Sequence, residues 1–485
     1  MRLMLVLAHG LKQVMKQSMV RTMSSTKLGS TYHVAVIGAG ASGTLVAAQF
    51  NRLDPPDAKL ALIGSQSKPA LGVAYETAFQ ANLLNVPAGN MSAFPDDMKH
   101  FVNWLKTRVS DSNAGTFASR KIYGEYLTDI FEDTLNNSNK VDYFNATVIG
   151  LTRKDDKWIV HFDNDTILET NSIVLALGNL LLPGNPIDFS AAGSAYHLNP
   201  WSPEIGKDLK ADAPVLLIGT GLTMVDVALS LREAGHRGPI HAISRHGRIY
   251  QTHKPYQVRP LINLPEDFRS PVGALRWIRR EVKAAEESSS DWRAVIDSLR
   301  PHTSAIWNLW NQTQRASFLR HARNFWDIHR HRMAPEISDQ LSTFIKDGTL
   351  FIHTGKLISA NSNGDDVTIE WQDAGTGKRQ KLNVARIINC TGPSRDITRV
   401  QSPLVVGLLA DGWITPDPLQ LGPQADLQGR LFGANGQASP NLYTIGPLRI
   451  ASLWESIAIP EIRNQAVELA ELLISESVES SVLAN

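Results

Sequence analysis

Residues 34–37 form a short continuous apolar run, stopped by Gly38 and followed by a helix-forming stretch. That order predicts a buried strand, a tight turn and a helix. A second strand is predicted at 59–63, and 101–108 and 123–135 carry the spacing of amphipathic helices. Residues 147–152 and 157–162 alternate as strands of a small antiparallel meander, and 172–178 is a continuous buried strand ending in glycine. The same succession returns at 356–359, 366–371 and 386–392. Between the two copies lie further strands at 214–218 and 240–246. Residues 266–346 change character: they are rich in Trp, Arg and His, with helical spacing at Leu275, Ile278, Val282 and at Ile337, Leu341, Ile345. This predicts a helical insertion covering a cleft. A last buried strand at 441–445 is followed by a helix expected from Ser452 toward Leu473, and the polar tail after Ser475 is expected to fray.

Two copies of one plan predict an α/β fold with two Rossmann-like dinucleotide-binding domains and a helical insertion. The glycines support it. Gly38-x-Gly40-x-x-Gly43 sits between the first strand and its helix. Gly38 permits a tight turn, Gly40 lets a pyrophosphate approach the backbone, and Gly43 lets helix and strand pack closely. The helix N-terminus supplies free N–H groups to phosphate. Gly219-x-Gly221 repeats the motif after 214–218, with Met224 in place of the third glycine. An Asp or Glu should end the second strand of the first copy to bind ribose hydroxyls. Gly64 and Ser65 stand there, which leaves the ribose to a hydroxyl such as that of Ser65, to backbone, or to a residue from elsewhere. In the second copy Ser244 and Arg245 take that place, and an arginine there suits a 2′-phosphate, so NADPH rather than NADH.

Composition narrows the chemistry. Charged residues are 20% of the 485, and the net charge is +1, which encodes no bulk attraction to nucleic acid or membrane. No apolar run is long enough to span a bilayer. Cys390 is the only cysteine, which excludes a CxxC redox pair and fits a reducing, cytoplasmic setting. The segment 1–53 lacks acidic residues, and its basic start reads either as a targeting segment or as an untidy extension. Asp327, His329 and His331 alternate in a way a helix would not bring to one face, so no metal site is assigned.

Gly193-x-x-x-His197-x-x-x-Trp201 resembles the signature of class B flavoprotein monooxygenases, with Ala191 and Ser202 as departures, and the loop 90–97 resembles their flavin-contacting loop. LGVAY from Leu71, NVPAGNMSAFPDD from Asn85, DWRAVIDSLRPHT from Asp291, FWDIHRHRMAP from Phe325, NCTGPS from Asn389 and LWESIAIPEIRNQA from Leu453 are similar to the family of FAD-NAD(P)-binding proteins. That family is related to N-hydroxylating monooxygenases and includes an FAD-dependent urate hydroxylase.

The resemblance implies FAD in the first domain, NADPH in the second, and O2 with a small nitrogen-containing molecule as substrates. The implied reaction is hydroxylation through a C4a-hydroperoxyflavin, as in urate to 5-hydroxyisourate. The alternatives are N-hydroxylation of an amino acid or amine, and an NADPH–flavin reductase, oxidase or redox sensor without hydroxylation. It implies that His197 and Trp201 couple the domains, that Asn85 and Met91 lie near the flavin, and that Gly178, Gly392 and Gly446 border the cofactors at strand ends. Arg330, His331 and Arg332 become candidates to meet the substrate. The expected organisation is an extension at 1–30, expected to be disordered, the FAD domain at 31–205 and 396–475, the NADPH domain at 206–265 and 347–395, the insertion at 266–346 and a tail at 476–485.

Overall fold

The computed structural model describes residues 32–483 except 78, 181–186 and 365, so the expected extension at 1–30 lies outside the described residues. In chain order the first domain contains β1 (Tyr32–Ile37), α1 (Ala41–Arg52), β2 (Leu60–Gly64), α2 (His100–Lys106), α3 (Arg120–Asn136), β3 (Val141–Asn145), β4 (Val148–Lys154), β5 (Lys157–Phe162) and β6 (Ile167–Leu175). The second contains β7 (Tyr196–His197), β8 (Val215–Ile218), α4 (Leu222–Glu233) and β9 (Ile240–Ser244). The insertion follows as α5 (Pro271–Glu287), α6 (Trp292–Ser298), α7 (Thr303–Leu309), α8 (Gln312–His321), α9 (Arg323–Arg330) and α10 (Pro335–Lys346). Then come β10 (Leu350–Asn363), β11 (Asp366–Asp373), β12 (Arg379–Val384), β13 (Arg386–Asn389), α11 (Pro403–Ala410), β14 (Arg430–Phe432), β15 (Ala438–Thr444) and α12 (Ile459–Leu483).

The first sheet runs β14-β15-β6-β1-β2-β3 and the second β12-β11-β10-β9-β8-β13-β7. The two are copies. β15-β6-β1-β2-β3 corresponds to β7-β13-β8-β9-β10, and every pair in both runs is parallel. The meander is repeated as well, β4-β5-β6 in one copy and β10-β11-β12 in the other, all antiparallel. The copies break at different places. β6 is one strand where β12 and β13 are two, and β10 is one strand where β3 and β4 are two. β3 was not legible as a strand because its VDYFN interrupts the apolar run with Asp142.

The buried faces follow the strand pattern. β1 and β2 are buried almost throughout, as strands covered on both sides must be. One face packs against α1, α3 and α12 through Leu45, Val46, Phe50, Tyr123, Leu127, Ile462 and Leu469. Burying each such side chain contributes about 1.5–3 kcal/mol. The other face packs against α11 through Leu404, Val405 and Leu408, with Trp158 from the meander.

Three differences from the sequence expectation matter. β7 lies in the second sheet beside β13, so the chain enters that domain ahead of residue 206. The helical insertion divides: α10 places Ile337 and Leu341 in the core of the second domain. The helices α5, α7 and α8 instead build a separate tryptophan-rich core with Ile450, Ala451 and Trp454 of the first domain's return segment. Finally, the helix expected from Ser452 is interrupted. A helical turn over 450–453 ends at Trp454, which has φ +62°, and α12 begins at Ile459 and continues to Leu483, through residues expected to fray. A bulky side chain in left-handed backbone is strained, and the surrounding contacts must hold it. Trp454 stacks on Trp307 at 4.8 Å between ring centres.

Candidate active site

Two glycine cradles are built alike. In the first, the Gly38 N–H donates to the Ile63 carbonyl at 2.8 Å and the Ala176 N–H to the Ile37 carbonyl at 2.8 Å. In the second, Gly219 donates to Ile243 at 2.7 Å and Cys390 to Ile218 at 2.9 Å. Gly38 and Gly219 have φ +114° and +111°, and a Cβ on either would collide with the carbonyl oxygen of Ala176 or Cys390. Both positions therefore demand glycine.

Gly43 presses α1 against the turn, since a Cβ there would strike the Gly38 carbonyl oxygen. Met224 takes the equivalent place in α4 and is fully buried. Gly40 and Gly221 stand at the N-caps of α1 and α4, with no acidic residue in either first turn. Their free N–H groups and partial positive charge suit a pyrophosphate. The nearest atom to a Cβ on Gly40 is the Gly72 Cα at 3.6 Å, and to one on Gly221 the Tyr250 Cε2 at 3.7 Å. Gly178 and Gly392 follow β6 and β13 with φ +66° and +82°, and a Cβ on either would meet nothing within 4 Å.

The return segment reaches the first cradle. Gly446 has φ +73°, a Cβ there would stand 2.7 Å from the Ser42 Oγ of α1, and its N–H donates to Gln465 Oε1 at 3.0 Å. The loop carrying Asn85 and Met91 is held by its backbone. His253 Nε2 donates to the Asn85 carbonyl at 2.9 Å, Tyr123 to the Met91 carbonyl at 2.9 Å, and Arg463 to the carbonyls of Asn90 and Ser92 at 3.0 Å each. Burial, and secondarily Arg332 and Arg293, push the His253 imidazole down to about 4, so the donor at Nε2 belongs to the neutral ring.

At the ribose end of the first cradle Ser65 is exposed. Gln66, which sequence reasoning passed over, folds back over Gly64 instead. At the second, Ser244 Oγ lies 2.9 Å from Thr220 Oγ1 and accepts from the Gly247 N–H at 2.9 Å, which fixes the turn after β9. Arg245 projects from that turn and is exposed. Arg248, also unforeseen, lies over the Phe325 ring at 3.6 Å.

His197 occupies the edge strand β7, opposite Ile388. Its Nε2 accepts from Arg386 Nη1 at 2.9 Å, and burial together with Arg386 lowers its pKa. Trp201 follows in a turn, its N–H donating to Asn199 Oδ1 at 3.0 Å.

The three substrate candidates meet a buried polar junction. Arg330 pairs with Glu455 at 2.8 Å and lies 3.8 Å from Glu461, which Arg300 also holds at 2.7 Å. Arg332, 2% exposed, pairs with Asp297, which Tyr256 also bonds, and its Nε and Nη1 are buried without partners among the described residues. His331 is pushed down to about 4 by burial and then by Arg330. Asp327 and His329 are otherwise engaged, with Arg323 at 3.3 Å and the Phe325 carbonyl at 2.7 Å. Glu455 follows the strained Trp454, so the insertion and the return segment meet at these charges.

Residues 35–180 match a family model described as FAD-NAD(P)-binding, as the resemblance implied. No curated protein matches the sequence. Among solved structures the chain is similar to the L-lysine 6-monooxygenase of Pseudomonas syringae, with 16% identity over 91% of this chain and 99% of that one, TM-score 0.64. It is similar to the ornithine N-hydroxylase of Kutzneria sp. 744, with 14% identity over 92% and 100%, TM-score 0.61. It is also similar to the thioredoxin reductase of Lactococcus lactis, with 13% identity over 92% and 99%, TM-score 0.53. These likenesses establish a two-domain dinucleotide-binding flavoprotein fold. The family match and the paired cradles agree on FAD and a nicotinamide dinucleotide as cofactors. Among the described residues no helix is long and apolar enough to cross a membrane.

Proposed function

We propose that the protein is an FAD-dependent, NADPH-consuming monooxygenase that hydroxylates a nitrogen of a small amine or amino acid. The carrying observation is Cys390. A fold shared with thiol-disulfide reductases here holds one thiol, buried at 3% exposure beneath the second cradle. No thiol pair is available to take electrons from a reduced flavin, so a dithiol relay is excluded, and O2 or a small-molecule acceptor takes them.

Bound FAD, reduced by NADPH, supplies the oxygen-activating chemistry. The chain's task is to bind, orient and exclude water. Gly38, Gly40 and Gly43 with Gly446 would hold FAD, and Gly219, Gly221, Ser244 and Arg245 would hold NADPH. The loop from Asn85 to Met91, fixed by His253, Tyr123 and Arg463, would border the flavin. At the junction Arg330 pairs with Glu455 and Arg332 with Asp297, and Arg332 keeps two further buried donors, Nε and Nη1, which suit the carboxylate of an amino acid. Relatives named for lysine and ornithine favour an amine over urate, which keeps its place in the test through the family resemblance alone.

The test is NADPH consumption by the purified holoenzyme with lysine, ornithine, cadaverine, aspartate and urate, with product mass read alongside. A substrate that accelerates NADPH use and gains one oxygen on nitrogen supports the reading. Peroxide formed mole for mole with NADPH, whatever is added, overturns it in favour of an oxidase.

A further inference from the structure

The first cradle lacks the carboxylate that ordinarily ends its second strand, and the structure shows what took its space. Gly64 closes β2 and is buried. A Cβ on it would collide with Gln66 Oε1 and would also stand 2.7 Å from the Ala39 Cβ and 2.9 Å from its nitrogen. The Gln66 amide, Ala39 and Gly64 therefore share one small volume, and any side chain at 64, an acid included, excludes Gln66 from it. On its other side Gln66 Nε2 lies 4.0 Å from the position of a Cβ on Gly40, the glycine open to phosphate. Gln66 Oε1 is buried and has no hydrogen-bond partner among the described residues. An acceptor hidden from water and left unpaired is costly, so such an atom marks a place where a donor belongs.

We propose that Gln66 is the adenosine-ribose clamp of the first dinucleotide site, and that Gly64 is glycine to make room for it. The inference rests on FAD occupying the first domain. A carboxylate can only accept, whereas an amide accepts through oxygen and donates through nitrogen. Placed between the end of β2 and Gly40, the amide presents its N–H2 to the phosphate side, and its oxygen, enclosed against Gly64, serves a ribose hydroxyl once the side chain turns toward the open side of Gly40. A glutamate at 66 would set a negative oxygen beside the pyrophosphate, so a carboxylate in place of this amide weakens binding.

The experiment is the FAD dissociation constant of the full-length holoenzyme, read from flavin fluorescence on dilution, with the unfolding midpoint of each apo form as a separate measure of folding. Gln66→Ala should raise the constant about tenfold, the scale of one lost hydrogen bond. Gln66→Glu should raise it at least as much. Gly64→Ala should raise it at least as much as Gln66→Ala, because its Cβ displaces Gln66 and also presses Ala39, and adding Gln66→Ala to it should cost nothing further. An FAD analogue lacking the adenosine 2′- and 3′-hydroxyls should bind wild type more weakly and the Gln66→Ala form no worse than FAD itself. A Gln66→Ala form that holds FAD as wild type does, or an analogue that costs both forms equally, overturns the assignment alone. A wild-type chain that holds no FAD overturns the assignment and the FAD reading together.

Discussion

Arg330 Nη2 stands 2.8 Å from Glu455 Oε2, and the two side chains are 10% and 9% exposed. The pair joins the helical insertion to the segment after the strained Trp454. Buried charges of this kind stabilise little as a pair but cost heavily when separated. Arg330→Met should therefore destabilise the protein by about 3–5 kcal/mol in urea denaturation, because Glu455 is left charged out of water. Adding Glu455→Gln to Arg330→Met should recover part of that loss. A single variant within about 1 kcal/mol of wild type would mean that Glu455 takes up a proton or water once Arg330 is gone.

His253 gives the stability a pH dependence. Its folded pKa is depressed to about 4 from an ordinary 6.5 by burial first. The unfolded chain thus binds a proton that the folded chain refuses between those values. Its contribution is fully present above pH 6.5 and is lost as the pH falls toward 4. The slope from this one group is at most about 1.4 kcal/mol per pH unit. Gln at 253 keeps a donor for the Asn85 carbonyl without titrating. Denaturation curves at pH 7, 6, 5 and 4 should show wild type losing stability faster than His253→Gln. Parallel curves would remove His253 from the account.

The sequence carried the frame of this site better than its contents. Gly38, Gly40, Gly43, Gly219 and Gly221 are legible because backbone geometry forbids alternatives, and the repeated strand pattern predicted the duplicated sheet. Gln66 was not legible. Its role depends on a side chain folding back over a glycine two positions earlier, and nothing in the spacing signals that. The break at Trp454 was hidden for a related reason: its left-handed backbone is held by Trp307, distant in sequence. His197 illustrates the reverse. Its motif was plain, while its Arg386 partner, 189 residues away, needed the fold.

Cys390, the one thiol of the sequence, tests whether a thiol takes part in the reaction. The thiol is fully enclosed and burial, then Asp226, pushes its pKa well above the ordinary value. The thiolate is the reactive form. Native protein should resist a thiol-specific disulfide reagent at pH 8 for hours and release about one equivalent only when unfolded. Rapid labelling of the native state, with reductase activity lost in step, would revive a thiol-based reaction.

The last prediction concerns the nicotinamide. Arg245 is exposed after β9, on a turn fixed by Ser244 and Thr220, whereas Arg248 is already engaged with Phe325. A guanidinium free to fork onto a 2′-phosphate makes charge-assisted hydrogen bonds of about 1.5–3 kcal/mol. Arg245→Ala should then raise the KM for NADPH by roughly ten- to a hundredfold and leave kcat and the KM for NADH nearly unchanged. Raising the salt concentration should narrow the gap, because an exposed charge contact is screened. If both nucleotides lose equally, Arg245 serves the turn and not the phosphate. In that case Arg248→Ala, which also frees Phe325, becomes the variant that should discriminate between them.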